Sequence, residues 1–144
     1  MIPRMDYAEG SCYCGKVKFK VAMPALFGVH CHCTQCQRLH GSAFVTWIGF
    51  KTEDVQIEDL EHMFTKFSSS RAEHGFCKNC GSPFYFRYTK TGGPVTEEWL
   101  AFTYFAMPNF TKGPNFLPTH NIFYASHPAW VEDVFNLPKP ESSK

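Results

Sequence analysis

Alternating apolar and polar positions dominate this chain, and they predict strands. In residues 15–21 the apolar Val17, Phe19 and Val21 fall on one side of an extended chain, with Lys16, Lys18 and Lys20 on the other. That is the pattern of a strand half buried against a core. Residues 43–50 are β-branched and aromatic, and too few for a helix of ordinary length. Residues 82–88 alternate Phe84, Phe86 and Tyr88 against Pro83, Tyr85 and Arg87. Further strands are expected at 100–105 and 121–125, with weaker signals at 55–57 and 64–67. Helical signals are sparse. The best is a turn or two over 34–39, where Thr34 is placed to cap. Proline and glycine punctuate 89–96 and 107–118, which read as loops. The expected organisation is a single mainly β domain over residues 10–135, an N-terminal arm at 1–9 and a frayed tail at 136–144.

Composition changes the picture in two ways. With 144 residues, 44% of them hydrophobic and 15 of them Phe, the chain can bury a real core, so any metal adds to that core rather than replacing it. The formal charge is +1, from 14 Lys and Arg against 13 Asp and Glu. Such a balance, without a basic run, argues against nucleic acid and against an anionic membrane surface. No stretch approaches the roughly 18 apolar residues of a membrane span. A small molecule or a protein is the expected partner.

Seven cysteines stand in three clusters: Cys12-x-Cys14, Cys31-x-Cys33-x-x-Cys36 and Cys77-x-x-Cys80. An odd count is wrong for a closed disulfide framework, and the first ten residues carry no apolar secretory stretch. A redox pair within Cys-x-x-Cys would need a thioredoxin-like βαβ context, which the pattern does not offer. Reduced thiols holding metal in the cytoplasm are the expectation. Zinc–sulfur bonds of ~2.3 Å in a tetrahedron set neighbouring sulfurs a little under ~4 Å apart. Cysteines at i and i+3 around a tight turn meet that demand, and Gly81 after Cys80 supplies the left-handed residue such a turn favours. Cysteines at i and i+2 of an extended chain also project to one side. Each pair needs another pair, and the simplest partition joins Cys12 and Cys14 to Cys77 and Cys80. Cys31, Cys33 and Cys36 then form a second site, whose fourth position is open or filled by His30, His32 or His40. His32 alternates away from its cysteine neighbours, which makes it the poorest of the three.

Three segments carry a resemblance: Gly10-Ser-Cys12-Tyr-Cys14-Gly15-Lys-Val17-Lys-Phe19, Cys31-His-Cys33-Thr-Gln-Cys36-Gln-Arg38 and Phe76-Cys77-Lys-Asn-Cys80-Gly81-Ser82-Pro83. They resemble the glutathione-dependent formaldehyde-activating enzyme family, in the superfamily that includes centromere protein V. The likeness spans about residues 10–130, with Pro118-Thr-His-Asn-Ile-Phe123 and Ser126-His-Pro-Ala-Trp130 near its end. It implies a β-tent, the Mss-four-like arrangement of coiled antiparallel sheets with zinc-binding turns. It also implies a structural zinc on Cys12, Cys14, Cys77 and Cys80, and a second zinc on Cys31, Cys33 and Cys36. The implied chemistry is that of a carbon–sulfur lyase, joining glutathione and formaldehyde, or a related small electrophile, as S-(hydroxymethyl)glutathione. Cys31, Cys33 and Cys36 become the catalytic candidates, because a metal lowers the pKa of a bound thiol.

Glutathione carries two carboxylates, which call for cations or backbone N–H groups. Arg38, just after the triad, is the first candidate, with Arg71 and Arg87 as alternatives. His40 is either a proton shuttle or a packing residue. Trp47, Phe44 and Phe50 lie near the triad in sequence, where core packing is the stronger reading for each, and Trp130 reads as structural. The alternative function is a non-catalytic zinc module that binds or carries a thiol or a protein partner. Sulfoxide reduction would need a cysteine outside the metal sites, and none is left over if all seven are ligands.

Overall fold

The computed structural model describes residues 6–141, so residues 1–5 and 142–144 of the expected arm and tail lie outside the described residues. Within them the chain forms β1 (Tyr7–Ser11), β2 (Lys18–Ala22), β3 (Phe27–Cys31), the helix α1 (Thr34–His40), β4 (Val45–Lys51) and β5 (Val55–Glu58). It continues through β6 (Phe64–Ser68), β7 (Ala72–Cys77), β8 (Pro83–Tyr88), β9 (Phe102–Ala106), β10 (Phe110–Lys112) and β11 (His120–Ile122). Two sheets result, one of order β10-β1-β2-β5 and one of order β11-β3-β4-β9-β8-β7-β6. Every pairing is antiparallel except β11 on β3, which is parallel. The architecture is the mainly β tent of antiparallel sheets that the resemblance implies.

The lysine alternation of β2 places Phe19 and Val21 inward, and a stack of rings joins the two sheets there. Phe19 lies 4.0 Å from Phe105 on β9 and 5.8 Å from Phe84 on β8, centroid to centroid. Ile48 and Phe50 of β4 complete this core at zero exposure. The alternate residues of the same strands, Trp47 on β4 and Tyr104 and Ala106 on β9, are buried on the opposite face of the large sheet. That sheet therefore has a core on each side, and the second core holds the candidate site.

Strand β8 departs from simple alternation. Gly75 pairs with Tyr85 and Phe76 with Pro83, which leaves Phe84 as an extra residue. Such a bulge turns neighbouring side chains to one side, so Phe84 and Tyr85 share the inter-sheet core while Phe86 joins the other. Four more differences stand against the sequence pattern. Strands β1, β3, β7 and β10 form where no strand was expected, and β1 starts at Tyr7, inside the expected arm, because Tyr7–Ser11 pairs along the whole of β2. The segments 100–105 and 121–125 are strand only from Phe102 and up to Ile122, with short helical turns at Glu97–Ala101 and Tyr124–Ser126. Trp130 is 71% exposed, so it does not pack as a structural residue. No helix among the described residues is long and apolar enough to cross a membrane.

Candidate functional site

Folding gathers the cysteine sulfurs into a four and a three. The β1–β2 turn brings Cys12 and Cys14, and the β7–β8 turn brings Cys77 and Cys80; all four sulfurs lie within 4.8 Å of one another. Cys12 and Cys14 are 3.6 Å apart and Cys14 and Cys77 are 3.7 Å apart. Tetrahedral zinc thiolate asks for about 3.8 Å, so this donor set fits that ion. Gly81 takes the expected left-handed conformation (φ +78), and its N–H donates to the Cys77 carbonyl at 2.7 Å, closing the knuckle. The side-chain amide of Asn79 donates to the Cys14 sulfur at 3.3 Å, and that bond leads in lowering the Cys14 pKa to about 6.

The other three come from one short segment. Strand β3 ends on Cys31, the chain turns, and α1 carries Cys36. Cys33, rather than Thr34, caps that helix: its sulfur accepts the backbone N–H of Cys36 at 3.2 Å. The Cys31 and Cys36 sulfurs are 3.5 Å apart, and all three lie within 4.8 Å of one another. With only protons to share, the thiols favour a single anion at Cys33. Hydrogen bonds from Cys31 and Cys36 draw its pKa far down, while the pKa values of Cys31 and Cys36 are pushed up in return. Three crowded thiols that compete for one charge are the donor set a dication relieves.

None of the three histidines considered for a fourth ligand joins them. The Nδ1 of His30 pairs with the Thr46 hydroxyl at 2.8 Å. His32 is buried elsewhere, with Nε2 2.9 Å from Asn121 Oδ1 and its ring between those of Phe44 and Tyr124. His40 meets Trp47 edge to face at 5.3 Å, and burial holds its pKa at about 4. Among the described residues no other His, Cys, Asp or Glu completes the set.

All three triad cysteines line a cavity of about 620 Å³. Its floor is the second face of the large sheet, with Trp47, Phe86, Tyr104 and Ala72 buried there. Tyr88, Trp99 and Phe102 form half-buried walls, and Ser70, Arg71 and Glu98 lie exposed at the rim. Burial raises the pKa of both Tyr88 and Tyr104, so each phenol keeps its proton at neutral pH.

Of the arginines, Arg71 lines the cavity; Arg38 is exposed on α1 and is not part of the lining. Arg87 reaches instead toward Glu73, at 3.9 Å. Arg71 lies against the turn at Gly92, where a Cβ would stand only 2.5 Å from its Nε. Trp47 lines the cavity, whereas Phe50 belongs to the inter-sheet core and Phe44 packs on His30 and His32. Trp99, Tyr88 and Glu98 escaped the sequence reading. Tyr88 carried the signal of an inward position in a strand, but Trp99 and Glu98 lie on a helical turn that no periodicity announces.

Comparison with known proteins adds three findings. The family described as glutathione-dependent formaldehyde-activating enzyme matches residues 7–126. A Schizosaccharomyces pombe protein named an uncharacterized lyase is 34% identical over 97 residues, which are 67% of this chain and 69% of that one. A Rhodobacter sphaeroides protein of known crystal structure aligns with a TM-score of 0.56 at 18% identity, covering 74% of this chain and 91% of its own, and so shares the fold.

Proposed function

The chain belongs to the glutathione-dependent formaldehyde-activating enzyme family, and on that premise we propose that it is a zinc-dependent carbon–sulfur lyase, which joins glutathione to formaldehyde or a related small electrophile as S-(hydroxymethyl)glutathione. The observation that carries this reading is the triad of Cys31, Cys33 and Cys36, set in the lining of an aromatic-floored cavity with no fourth protein ligand among the described residues. Zinc held by the three would supply the positive charge that keeps a substrate thiol ionised at neutral pH.

The chain's own residues do the rest. Trp47, Phe86 and Tyr104 exclude water from the floor, which raises the worth of every polar contact there. Attack of a thiolate on a carbonyl carbon makes an oxyanion, and that oxygen needs a donor. Tyr88 supplies an O–H that burial keeps protonated. Arg71 stands at the rim, where the glutathione carboxylates would meet solvent, and takes the place expected of Arg38. Cys12, Cys14, Cys77 and Cys80 hold a structural zinc. Two thiolate sets suit a reducing compartment such as the cytoplasm.

Metal analysis of the purified protein should find two zinc ions per chain, one for each cluster. Exchange NMR on formaldehyde and glutathione should show interconversion faster than the uncatalysed addition. Tyr88→Phe should keep both ions and lose about 10²-fold in rate. A triad without zinc, or exchange no faster with protein than without it, would end this reading.

A further inference from the structure

The lining of the triad cavity keeps its charged residues apart from its aromatic floor, and that separation speaks to the electrophile. Thr34, Gln35, Ser70, Arg71 and Glu98 are exposed polar residues of the lining, the first two beside the triad, while Trp47, Ala72, Phe86 and Tyr104 are buried across the floor. Arg71 and Glu98 are the charged side chains in the lining. A charged tripeptide keeps its carboxylates and ammonium near water and the rim groups, and sends only its sulfur inward. Formaldehyde has two heavy atoms and no apolar surface to bury. The two together leave most of an aromatic floor uncovered in about 620 Å³ of space. Pockets of this size normally bury most of an organic ligand, and apolar walls reward apolar surface.

We propose that the preferred carbonyl partner at this site is an apolar aldehyde, aromatic or several carbons long, whose substituent lies on the floor formed by Trp47, Phe86 and Tyr104. The inference rests on the thiol addition described above. The product is the hemithioacetal of glutathione with that aldehyde. Its C–S bond forms as the carbonyl π bond breaks, the electron pair moves to oxygen, and the thiol proton ends there. The reverse reaction returns thiol and aldehyde, and no oxidant or reductant is needed. Formaldehyde uses the same atoms but leaves the floor empty.

The test uses the zinc-loaded full chain and unreactive S-alkyl glutathiones. Binding of S-methyl, S-propyl and S-hexyl derivatives is followed by calorimetry and by fluorescence of Trp47 and Trp99. Affinity should rise about fourfold per added methylene until the floor is covered. Exchange NMR should show hexanal and benzaldehyde entering the adduct with higher kcat/KM than formaldehyde. Phe102→Ala, which removes a half-buried wall, should weaken S-hexyl binding more than S-methyl binding, and Ile122→Ala serves as a second such variant if the first folds poorly. Equal affinity along the series, with formaldehyde the faster substrate, would overturn the apolar-aldehyde inference and leave the family reaction standing. Failure of every glutathione derivative to bind would overturn both.

Discussion

The two cysteine clusters use one kind of ligand and differ in where the chain finds it. The closed four draws on two turns far apart in sequence, β1–β2 in the small sheet and β7–β8 in the large one. The triad draws on six consecutive residues. A cross-link restrains the unfolded chain more as the loop it closes grows longer. A metal on the four therefore ties the two sheets together, whereas a metal on the three fixes little beyond one strand end and a helical turn. Their surroundings differ in the same sense. None of the four cysteines lines the cavity floored by Trp47, Phe86 and Tyr104, and all three of the triad do. Sequence separation of the ligands thus separates a cluster that bridges the two sheets from a cluster that lines the cavity.

Removing one ligand from each cluster tests that division most strongly. Cys77→Ser should lose one zinc per chain and lower the unfolding midpoint by more than about 10 °C, because a structural zinc site contributes folding free energy outright. Cys33→Ser should also lose one zinc, yet shift the midpoint by no more than about 4 °C while the exchange rate falls by about 10² or more. Calorimetry and metal analysis on the two variants read both numbers. Equal losses of stability would break the comparison.

The same locality explains what could be read from the sequence. The triad was legible because its ligands are neighbours, and the closed four because each pair carries its own turn. Strand β2 was legible because its lysines face water along its whole length. Strand β7, Ala-Glu-His-Gly-Phe-Cys, was not, because its middle is completed by other strands. At Gly75 a Cβ would stand 2.5 Å from the Phe64 ring, so the apolar surface at that position belongs to β6. The bulge at Phe84 depends on the partner strand and leaves no local trace. The cavity is the extreme case: its walls come from β3, β4, β8, β9 and the residues around 70 and 98, which only the folded sheet brings together.

Arginine at the rim sharpens the comparison at moderate scale. If the triad cavity takes glutathione with its carboxylates outward, Arg71→Ala should raise KM for glutathione about tenfold with kcat little changed, the pattern of lost ground-state binding. Arg38→Ala, outside the lining, should change either constant less than about twofold. Steady-state kinetics with varied glutathione decides the matter. A larger effect at Arg38 than at Arg71 would mean that the thiol approaches over α1 instead of over the Gly92 turn.

The smallest expected effect concerns how dry the two clusters are. In the closed four, Cys14 is exposed, and its pKa is set chiefly by the Asn79 amide. Beside Trp47, in a second pocket that it lines with His74, His40 has its pKa held at about 4 chiefly by burial, with the charge of His74 acting the same way and that of Cys33 opposing. An unfolded histidine titrates near ~6.5. Between the two values the unfolded chain binds the proton and the folded chain does not, so His40 contributes nothing above about pH 6.5 and destabilises the fold as pH falls toward 4. Allowing for its partial exposure, the cost at pH 5 is about 1 kcal/mol. Acid also unloads thiolate sites, so the measurement is the difference between wild type and His40→Gln at each pH, which cancels the shared loss of metal. The variant should gain about 4 °C on wild type as pH goes from 7 to 5. Parallel pH profiles would mean that His40 is solvated, through the separate pocket that it lines with His74 and Phe67.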